Sequence, residues 1–134
     1  MKLLENKVVL ITGASRGIGK SIAEECAKQG ATIAFTYLSS DEKARALEAE
    51  LSANGVIAKG FKSDASKFDD AQVLVDQVVE AFGTIDVLVN NAGIPDAKRA
   101  VQLEDELFDR VMDTNLEGPW ILSCEVARRL IEQK

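Results

Sequence analysis

The segment that most constrains the fold is "VVLITGASRGIGKSIA", residues 8–23. Its first five residues, 8–12, predict a strand buried on both faces, because they form one short apolar run without alternating polar positions. Gly13, Gly17 and Gly19 follow within a seven-residue turn that opens a helical pattern. A strand, a glycine-rich turn and a helix in this order bring unpaired backbone N–H groups and the positive end of a helix dipole to one point. The segment therefore predicts an anion site, usually for phosphate.

The remainder of the chain continues the alternation of strands and helices. Apolar runs predict three more strands, and stripes of apolar side chains predict the helices between and after them. The predicted strands are residues 31–37, 56–62 and 85–91. The predicted helices are residues 17–29, a second that ends at Asn54-Gly55, a third that ends at Gly83, and residues 104–115 and 119–133.

Signals at the helix ends refine these bounds. Ser39 and Glu42 have the capping-box spacing, and Ser66 with Asp69 is predicted to cap the third helix. Gly30 stands where a helix C-cap belongs. The stripes predicted to face the core are Ile18, Ile22 and Cys26 in the first helix, Ala44, Leu47 and Leu51 in the second, and Phe68, Ala71, Val75, Val78 and Phe82 in the third.

The order βαβαβαβαα predicts an α/β fold with one parallel sheet. Strands separated by helices of this length pair through right-handed crossovers. A Rossmann-type sheet places four such strands in the order 3-2-1-4, flanked by helices. We interpret residues 1–134 as a single, partial dinucleotide-binding domain, because 134 residues with a hydrophobic content of 46% suit one core.

Composition argues against several classes of function. The net charge of −6 disfavours a nucleic-acid surface, which needs clustered Lys and Arg. The chain has no histidine, and Cys26 and Cys124 lie far apart, so we expect reduced thiols and no metal site. No run is apolar and long enough for a signal peptide or a membrane span. We therefore expect a cytoplasmic protein that binds neither nucleic acid nor membrane.

Two other interpretations of the glycine turn compete with a dinucleotide site. Gly19-Lys20-Ser21 has the form of a P-loop ending, but a P-loop needs its first glycine at position 14, which is Ala14. The glycines could instead serve only close packing of the strand against the helix. The surrounding βαβ pattern favours the nucleotide interpretation over both alternatives.

Three motifs resemble those of the short-chain dehydrogenase/reductase family. "TGASRGIG", residues 12–19, resembles the family's cofactor turn, and "IDVLVNNAG", residues 85–93, resembles its Asn-Asn-Ala-Gly motif after the fourth strand. "DTNLEGPW", residues 113–120, resembles a helical segment that carries an active-site asparagine. The resemblance covers the whole chain. Within the family the likeness, including "MKLLENKVVLITGASRGIGK", is greatest to bacterial 3-oxoacyl-acyl-carrier-protein reductases.

The resemblance implies a role for each motif residue. The turn would bind the cofactor pyrophosphate, with Ile18 beneath the nicotinamide, and Asp64 would bind the adenine amino group. Asn115 would hold a water in a proton relay and is the catalytic candidate. Asn91 would line the cofactor and also tie adjacent strands together. The cofactor-binding candidates are Gly13, Ser15, Arg16, Gly17, Ile18, Gly19, Tyr37, Asp64, Asn91, Ala92 and Gly93.

Ordinary structural roles remain open for two of these candidates. Asp64 could be a loop or helix-capping aspartate. Asn115 could cap or kink a helix, because asparagine is a poor residue in the middle of a helix. Tyr37 ends the second predicted strand, on the side where the adenosine ribose of the cofactor would lie.

The end of the second strand bears on the choice of cofactor. NAD-specific members of such folds place Asp or Glu there to bind the ribose 2′-OH. Here residues 36–40 are "TYLSS", which contains no acid, and Arg16 in the turn can reach a 2′-phosphate. We therefore expect NADP(H) as the cofactor.

One part of the family pattern is missing from this sequence. The family's chemistry uses a Tyr, a Lys four residues later and a Ser upstream, whereas the one tyrosine, Tyr37, is followed four residues later by Asp41. We expect an N-terminal part of the enzyme that lacks the C-terminal strands of the full fold and is inactive by itself. The complete homo-oligomeric enzyme would reduce a small-molecule or acyl-carrier-linked substrate, such as a 3-oxoacyl thioester in fatty-acid synthesis. The alternative is a non-catalytic nucleotide-binding or interaction module of this length.

Overall fold

The computed structural model describes residues 1–93 and 100–133, and strands and helices alternate in these ranges. The elements are β1 (Val8–Ile11), α1 (Gly17–Lys28), β2 (Thr32–Tyr37), α2 (Asp41–Ala53), β3 (Ala58–Lys62), α3 (Phe68–Phe82), β4 (Val87–Val89), α4 (Asp105–Met112) and α5 (Gly118–Glu132). A 3₁₀ turn, Ala100–Gln102, precedes α4, and a π-helical turn, Asp113–Glu117, joins α4 to α5. None of the helices in the described ranges has the length and apolar character needed to cross a membrane.

The four strands form one parallel sheet in the order β3-β2-β1-β4, which confirms the predicted topology. Val9 of β1 pairs with Ile33 of β2 on one side and with Val87 of β4 on the other. The strand order therefore reverses beside β1. In open parallel sheets, ligands bind outside the carboxyl ends of the strands at such a reversal.

One face of the sheet is covered by α1 and α2. Alternate residues of β1, Val9 and Ile11, point to this face and are fully buried. The first apolar layer consists of Val9, Ile11, Ala14, Ala23, Ala27, Ala31, Ile33, Phe35, Tyr37, Ala44, Leu47 and Leu51. All of its buried members lie within one continuous stretch of chain.

The opposite face is covered by α3 and α5. Val8 and Leu10 of β1 point to this side. Arg129 of α5 forms an ion pair with Asp76 of α3 at the exposed edge of this layer. The second apolar layer consists of Val8, Leu10, Ala34, Phe61, Ala71, Leu74, Val75, Val78, Ile85, Leu122 and Val126.

All four strands are shorter than predicted, and the largest difference is in β4, which spans Val87–Val89 instead of 85–91. At its start, Oδ2 of Asp86 accepts a hydrogen bond from the Val8 N–H at 2.8 Å. Beyond its end, the Asn91 N–H donates to the Thr12 hydroxyl at 3.0 Å. These side-chain bonds add to the backbone bonds at the two ends of β4, from the Asp86 N–H to the Val8 carbonyl oxygen and from the Thr12 N–H to the Val89 carbonyl oxygen.

Both predicted serine caps are wrong. The N-cap of α2 is Ser40 rather than Ser39, and no side chain caps this helix end. The N-cap of α3 is Lys67. The hydroxyl of Ser66 instead donates to Oδ1 of Asp64 at 2.6 Å, so it stabilises the loop before the helix.

The apolar stripe of α1 is displaced by one residue from the prediction. Ile18 is 75% exposed, while Ile22 and Cys26 only flank the first apolar layer. The buried positions are the small residues Gly19, Ala23 and Ala27, which let the helix lie close to the sheet. The predicted stripe of α2 is confirmed. Gly83 is the C-cap of α3, as predicted, whereas the C-cap of α1 is Gln29, one residue before Gly30; both glycines have positive φ.

The stripe of α3 is confirmed at its centre and wrong at its first residue. Ala71, Val75 and Val78 are buried, and Leu74 joins them. Phe68 is 38% exposed and Phe82 packs against the second layer from its margin. The stripe therefore loses contact with the sheet toward the beginning of the helix.

The last two predicted helices, 104–115 and 119–133, are joined without a loop. The π-helical turn continues the backbone from α4 directly into α5. Pro119 lies in the first turn of α5, as predicted. A π-helical turn adds one residue to a helical turn and often occurs at functional sites.

Candidate cofactor site

The glycine turn lies at the carboxyl end of β1, where the strand order reverses. Gly13 and Gly17 adopt the left-handed conformation with φ of 67° and 61°. The turn thereby passes from strand to helix in few residues. Its position is the one at which parallel α/β sheets bind ligands.

Two glycines of the turn have no room for a side chain. A methyl group built at Gly19 would lie 2.5 Å from Nδ2 of Asn91 and 2.5 Å from the carbonyl oxygen of Gly13. One built at Gly13 would lie 3.0 Å from Cα of Ala92. The turn is therefore packed closely against the segment after β4, and the N–H groups of its exposed residues, 16–18, can approach an anion at close range.

Asn91 binds the turn to the segment after β4. Its Nδ2 donates to the carbonyl oxygens of Thr12 at 3.1 Å and of Gly13 at 3.0 Å. These bonds join the ends of β1 and β4, which agrees with the tie between strands expected of this side chain.

Two buried threonine hydroxyls, at the ends of β1 and β2, accept hydrogen bonds from the turn and from the segment after β4. Oγ1 of Thr12 accepts from the N–H groups of Asn91 at 3.0 Å and Ala92 at 2.9 Å. Oγ1 of Thr36 accepts from the Gly13 N–H at 3.0 Å. Sequence reasoning missed both roles, although a threonine at the carboxyl end of an apolar strand was a visible signal.

The exposed part of the turn is Arg16, Gly17 and Ile18, while Ser15 is half-buried. Arg16 has an extended backbone with φ of −156° and forms no cap hydrogen bond with α1. Its side chain therefore extends into solvent beside the turn. An exposed cation and an exposed apolar side chain thus stand together at the mouth of the site.

Lys20 does not point at the turn's anion site. Its Nζ lies 3.0 Å from Oε1 of Glu24 and 3.5 Å from Oε2 of Glu50, on the surface between α1 and α2. The hydrogen bond to Glu24, together with the charges of both glutamates, raises the pKa of Lys20. The P-loop interpretation is left without a phosphate-binding lysine.

Asp64 follows β3 and accepts hydrogen bonds within its own loop. Partial burial acts to raise the pKa of Asp64. Hydrogen bonds from the hydroxyl and the N–H of Ser66, at 2.6 and 2.9 Å, act to lower it, and so do the charges of Lys67 and Arg110. The net effect is a pKa below the usual value, so Asp64 is ionised. Both of its hydrogen bonds from Ser66 end on Oδ1.

A cleft at the carboxyl ends of the strands brings several of these residues together. Thr12, Thr36, Asp64, Asn90, Ala92 and Gly118 all line it. Asp64 and the segment after β4 thus share one cleft. Across the part of the chain that the structure describes, no cluster of histidine, cysteine and acidic side chains could hold a metal ion.

Tyr37 belongs to the first apolar layer. It is 8% exposed, and its hydroxyl accepts a hydrogen bond from Nη2 of Arg45 at 2.7 Å. The Arg45 guanidinium also lies 5.5 Å from the centre of the ring. Tyr37 is therefore placed on the α2 side of the sheet, and it is not among the residues that line the cleft.

Asn115 lies in the π-helical turn and faces the segment after β4. Its Oδ1 is 3.2 Å from the position of a methyl group built at Gly93. The Asn115 carboxamide can therefore lie this close to the backbone because Gly93 has no side chain. Asn115, the catalytic candidate, therefore lies beside Gly93, one of the cofactor-binding candidates.

Gly118 was not predicted as a site residue. It is buried, and a methyl group built there would overlap the carbonyl oxygen of Ala65 and lie 2.8 Å from that of Asp113. The available signal was a glycine at a helix start, directly before Pro119.

The chain matches known proteins over nearly its whole length. The model of the short chain dehydrogenase family matches residues 7–134. A 3-oxoacyl-acyl-carrier-protein reductase of Staphylococcus epidermidis is 39% identical over 129 residues, which are 96% of this chain and 53% of the relative. An L-rhamnose 1-dehydrogenase (NAD(P)(+)) of Azotobacter vinelandii is 43% identical over 134 residues, 98% of this chain and 52% of the relative.

Solved structures give the same result. A short-chain dehydrogenase of Burkholderia cenocepacia, crystallised in complex with NADP, superposes with a TM-score of 0.91 at 39% identity. The match covers 94% of this chain and 51% of that one. The chain spans about half the length of the relatives that it matches.

Proposed function

The chain belongs to the short-chain dehydrogenase family, and on that premise we propose that it forms the NADP(H)-binding part of an oxidoreductase. The observation that carries the proposal is the close packing of Gly13 and Gly19 against the segment after β4. The outer residues of this turn, 16–18, are exposed, which supports binding of a pyrophosphate by their N–H groups.

The residues around the turn fit the cofactor in chemical type. Ile18 supplies an exposed apolar surface for the nicotinamide, and ionised Asp64 can accept a hydrogen bond from the adenine amino group. Ala92 and Gly93 add no bulk beside the turn. When bound, the cofactor supplies or accepts a hydride.

We propose NADP(H) rather than NAD(H) because of charge. No acid between Thr36 and Ser40 repels a 2′-phosphate, and Arg16 is exposed beside the turn. A charge-assisted hydrogen bond from arginine to phosphate is worth about 1.5–3 kcal/mol. Tyr37, at the end of β2, would bound the ribose side of the site.

Asn115 is proposed to hold a water beside the reacting carbonyl. Its support is the contact of the Asn115 carboxamide, which lies in the π-helical turn, with Gly93 in the segment after β4. An amide can orient a water through both its N–H and its oxygen, but it cannot act as the proton donor.

The proposed reaction of the complete protein is reduction of a 3-oxoacyl thioester to the 3-hydroxyacyl form. Its support is the 39% identity to the Staphylococcus reductase. The second candidate is oxidation of a sugar, because the identity to the Azotobacter rhamnose dehydrogenase is 43%. We further propose a cytoplasmic homo-oligomer whose substrate is a small molecule or is linked to an acyl carrier.

Residues 1–134 by themselves are proposed to bind the cofactor without turnover. A positioned proton donor contributes roughly 10²–10⁴ in rate. The one tyrosine of this sequence, Tyr37, is buried in the first apolar layer, where its hydroxyl accepts a hydrogen bond from Arg45. Asp64 is ionised and cannot donate a proton.

The test combines cofactor binding with two turnover assays. Calorimetry with NADPH and NADH on the full-length protein and on residues 1–134 measures binding. NADPH oxidation with a short 3-oxoacyl thioester and NADP⁺ reduction with L-rhamnose measure turnover. We expect both proteins to bind NADPH and only the full-length protein to turn over the thioester.

Each departure from that result has a distinct meaning. Turnover of rhamnose alone would favour the sugar dehydrogenase. Saturable cofactor binding without turnover of any carbonyl or alcohol substrate would favour a non-catalytic nucleotide-binding module. Absence of nicotinamide cofactor binding by the full-length protein would overturn the proposal.

A further inference from the structure

The start of α5 is in direct backbone contact with the loop after β3. Gly118 is buried, and a methyl group built there would overlap the Ala65 carbonyl oxygen and lie 3.2 Å from its carbon. Gly118 has helical φ and ψ of −56° and −53°, so its backbone conformation does not require glycine. The requirement for glycine comes instead from two backbone carbonyls, that of Ala65 and that of Asp113, which would lie 2.8 Å from the methyl group.

This contact joins two parts of the site that are far apart in sequence. Ala65 lies between Asp64 and Ser66, whose hydrogen bonds hold the loop after β3. Gly118 directly follows the π-helical turn, in which Asn115 faces Gly93. A displacement of the loop that moves the Ala65 carbonyl therefore presses on the residue that ends the π-helical turn.

We propose that Gly118 is a positioning residue through which cofactor binding at the Asp64 loop sets the place of Asn115. The inference rests on the proposed function, since it takes Asp64 as a cofactor contact and Asn115 as an active-site residue. It adds a coupling between the adenine end and the reacting end of the site.

The rest of α5 is held independently of Gly118. Leu122 is buried in the second apolar layer, and Arg129 pairs with Asp76 of α3. Near the end of the helix, the Thr84 hydroxyl donates to Oε1 of Gln133 at 2.8 Å. Displacement at Gly118 should therefore stay local to the first turn of α5 and to the π-helical turn, and α5 should remain docked.

The first experiment measures the coupling without turnover. Hydrogen exchange of residues 113–118 is followed by mass spectrometry in the full-length protein, with and without saturating NADPH. We expect NADPH to slow this exchange by about fivefold or more, the lower end of ordinary coupling between sites. Gly118→Ala should lose the effect while still binding NADPH.

Two further variants serve this experiment. Gly55→Ala is the control, because a methyl group there meets no atom within 4 Å although the backbone has φ of 77°. It should show a loss of stability from strain but keep the full NADPH effect. Ala65→Gly adds no atoms and lets the backbone carbonyl of residue 65 move away from Gly118. It should therefore weaken the effect of NADPH on exchange, and it can be measured even if Gly118→Ala does not fold.

The second experiment is a double-mutant cycle on kcat. We expect Gly118→Ala to lower kcat by roughly 10²-fold, as a misplacement of about 1 Å can do, with little change in KM. In an Asn115→Ala background the same change should have almost no further effect, because Gly118 acts through Asn115.

The outcomes separate this inference from the function on which it rests. NADPH that binds but leaves exchange at 113–118 unchanged, or that slows it equally in folded Gly118→Ala, would overturn the coupling. Additive losses of kcat in the double mutant would do the same. An Asn115→Ala variant with normal kcat would instead refute the proposed role of Asn115, and the exchange experiment would still decide the coupling.

Discussion

Gly19 and Asn91 fit together so closely that a methyl group on the glycine would lie 2.5 Å from Nδ2 of the asparagine. The two residues are 72 positions apart, 91 − 19, and come from α1 and from the segment after β4. Their contact makes the turn and the fourth strand a single unit.

Gly19→Ala should weaken NADPH binding and destabilise the fold. Alanine is favoured over glycine in a helix, so the loss arises from steric overlap, which typically costs about 1–3 kcal/mol. Chemical denaturation and calorimetric titration measure the two effects. Gly55→Ala, whose methyl group meets open space, should leave NADPH affinity unchanged. Equal NADPH affinity in Gly19→Ala and wild type would contradict the close packing.

Asn91→Ala should be far more costly than Asn90→Ala. Loss of the Asn91 carboxamide leaves the carbonyl oxygens of Thr12 and Gly13 without their donor, at about 1–3 kcal/mol. Asn90 is exposed, and its bond to the Ser123 hydroxyl can be replaced by water. Urea denaturation midpoints of the two variants provide the comparison, and equal midpoints would show that Asn91 does not join the strands.

Arg16→Ala should reduce the preference for NADPH over NADH. The expected loss is about 1.5–3 kcal/mol in the difference between the two binding free energies, if Arg16 binds the 2′-phosphate. Titration calorimetry with both cofactors measures it. Lys20→Ala is the matched control, because this nearby cation is held by Glu24 and Glu50. A preference that is unchanged in Arg16→Ala, or lost equally in both variants, would remove the specific role of Arg16.

Asp64 should stabilise the protein above its unfolded pKa and lose this effect in acid. Burial opposes ionisation, but the bonds from Ser66 outweigh it and lower the folded-state pKa. Because the folded pKa is the lower one, the stabilisation is complete above about pH 3.9, the ordinary value, and disappears as pH falls through the folded pKa. An NMR titration of the Asp64 carboxyl carbon measures that value.

Ser66→Ala should raise the pKa of Asp64 toward its ordinary value, because it removes one of the two hydrogen bonds to Oδ1. The difference in stability between wild type and this variant should narrow below pH 4, near the ordinary aspartate pKa of about 3.9. Ser123→Ala is the control, since its partner Asn90 does not titrate. An Asp64 pKa that stays the same in Ser66→Ala would refute the stated cause.

Residues 1–134 should self-associate when isolated. Trp120 and Ile131 are 71% and 69% exposed and lie eleven residues, or three helical turns, apart on α5, outside the buried face. The edge of the sheet at β4 adds a strand whose residues are only half-buried. Trp120→Glu should shift light scattering toward monomer, and Val73→Glu, at an exposed site on α3, should not. A wild-type monomer at high micromolar concentration would contradict the prediction.

The parallel sheet could be predicted from sequence because strands and helices alternate along the chain, and its strand order is that of a Rossmann-type sheet. Four apolar runs alternate with helices, and this pattern alone implies parallel pairing. The family motifs then placed the glycine turn and Asn91 at the strand ends, where the structure has them. Local patterns were sufficient wherever the deciding contact lay within one element or one motif.

The errors arose where a contact outside the recognised pattern decided the outcome. Ser66 has the spacing of a cap, but Asp64 takes its hydroxyl. Ile18 continues the period of an apolar stripe, but the small residue beside it, Gly19, is the one that faces the sheet. Gly118 lies within the segment "DTNLEGPW", but its requirement for glycine comes from the Ala65 carbonyl, more than fifty residues earlier in the chain.

The two apolar layers are completed at different moments of synthesis. Every buried residue of the first layer lies within residues 9–51, whereas the second layer needs Leu122 and Val126. Chains begin to fold as they leave the ribosome, N-terminal parts first. The nascent chain therefore holds all of one layer before α5 has been translated. Until then Leu10 and Ala34 lack part of their cover, and apolar surface exposed in this way makes the growing chain prone to aggregation.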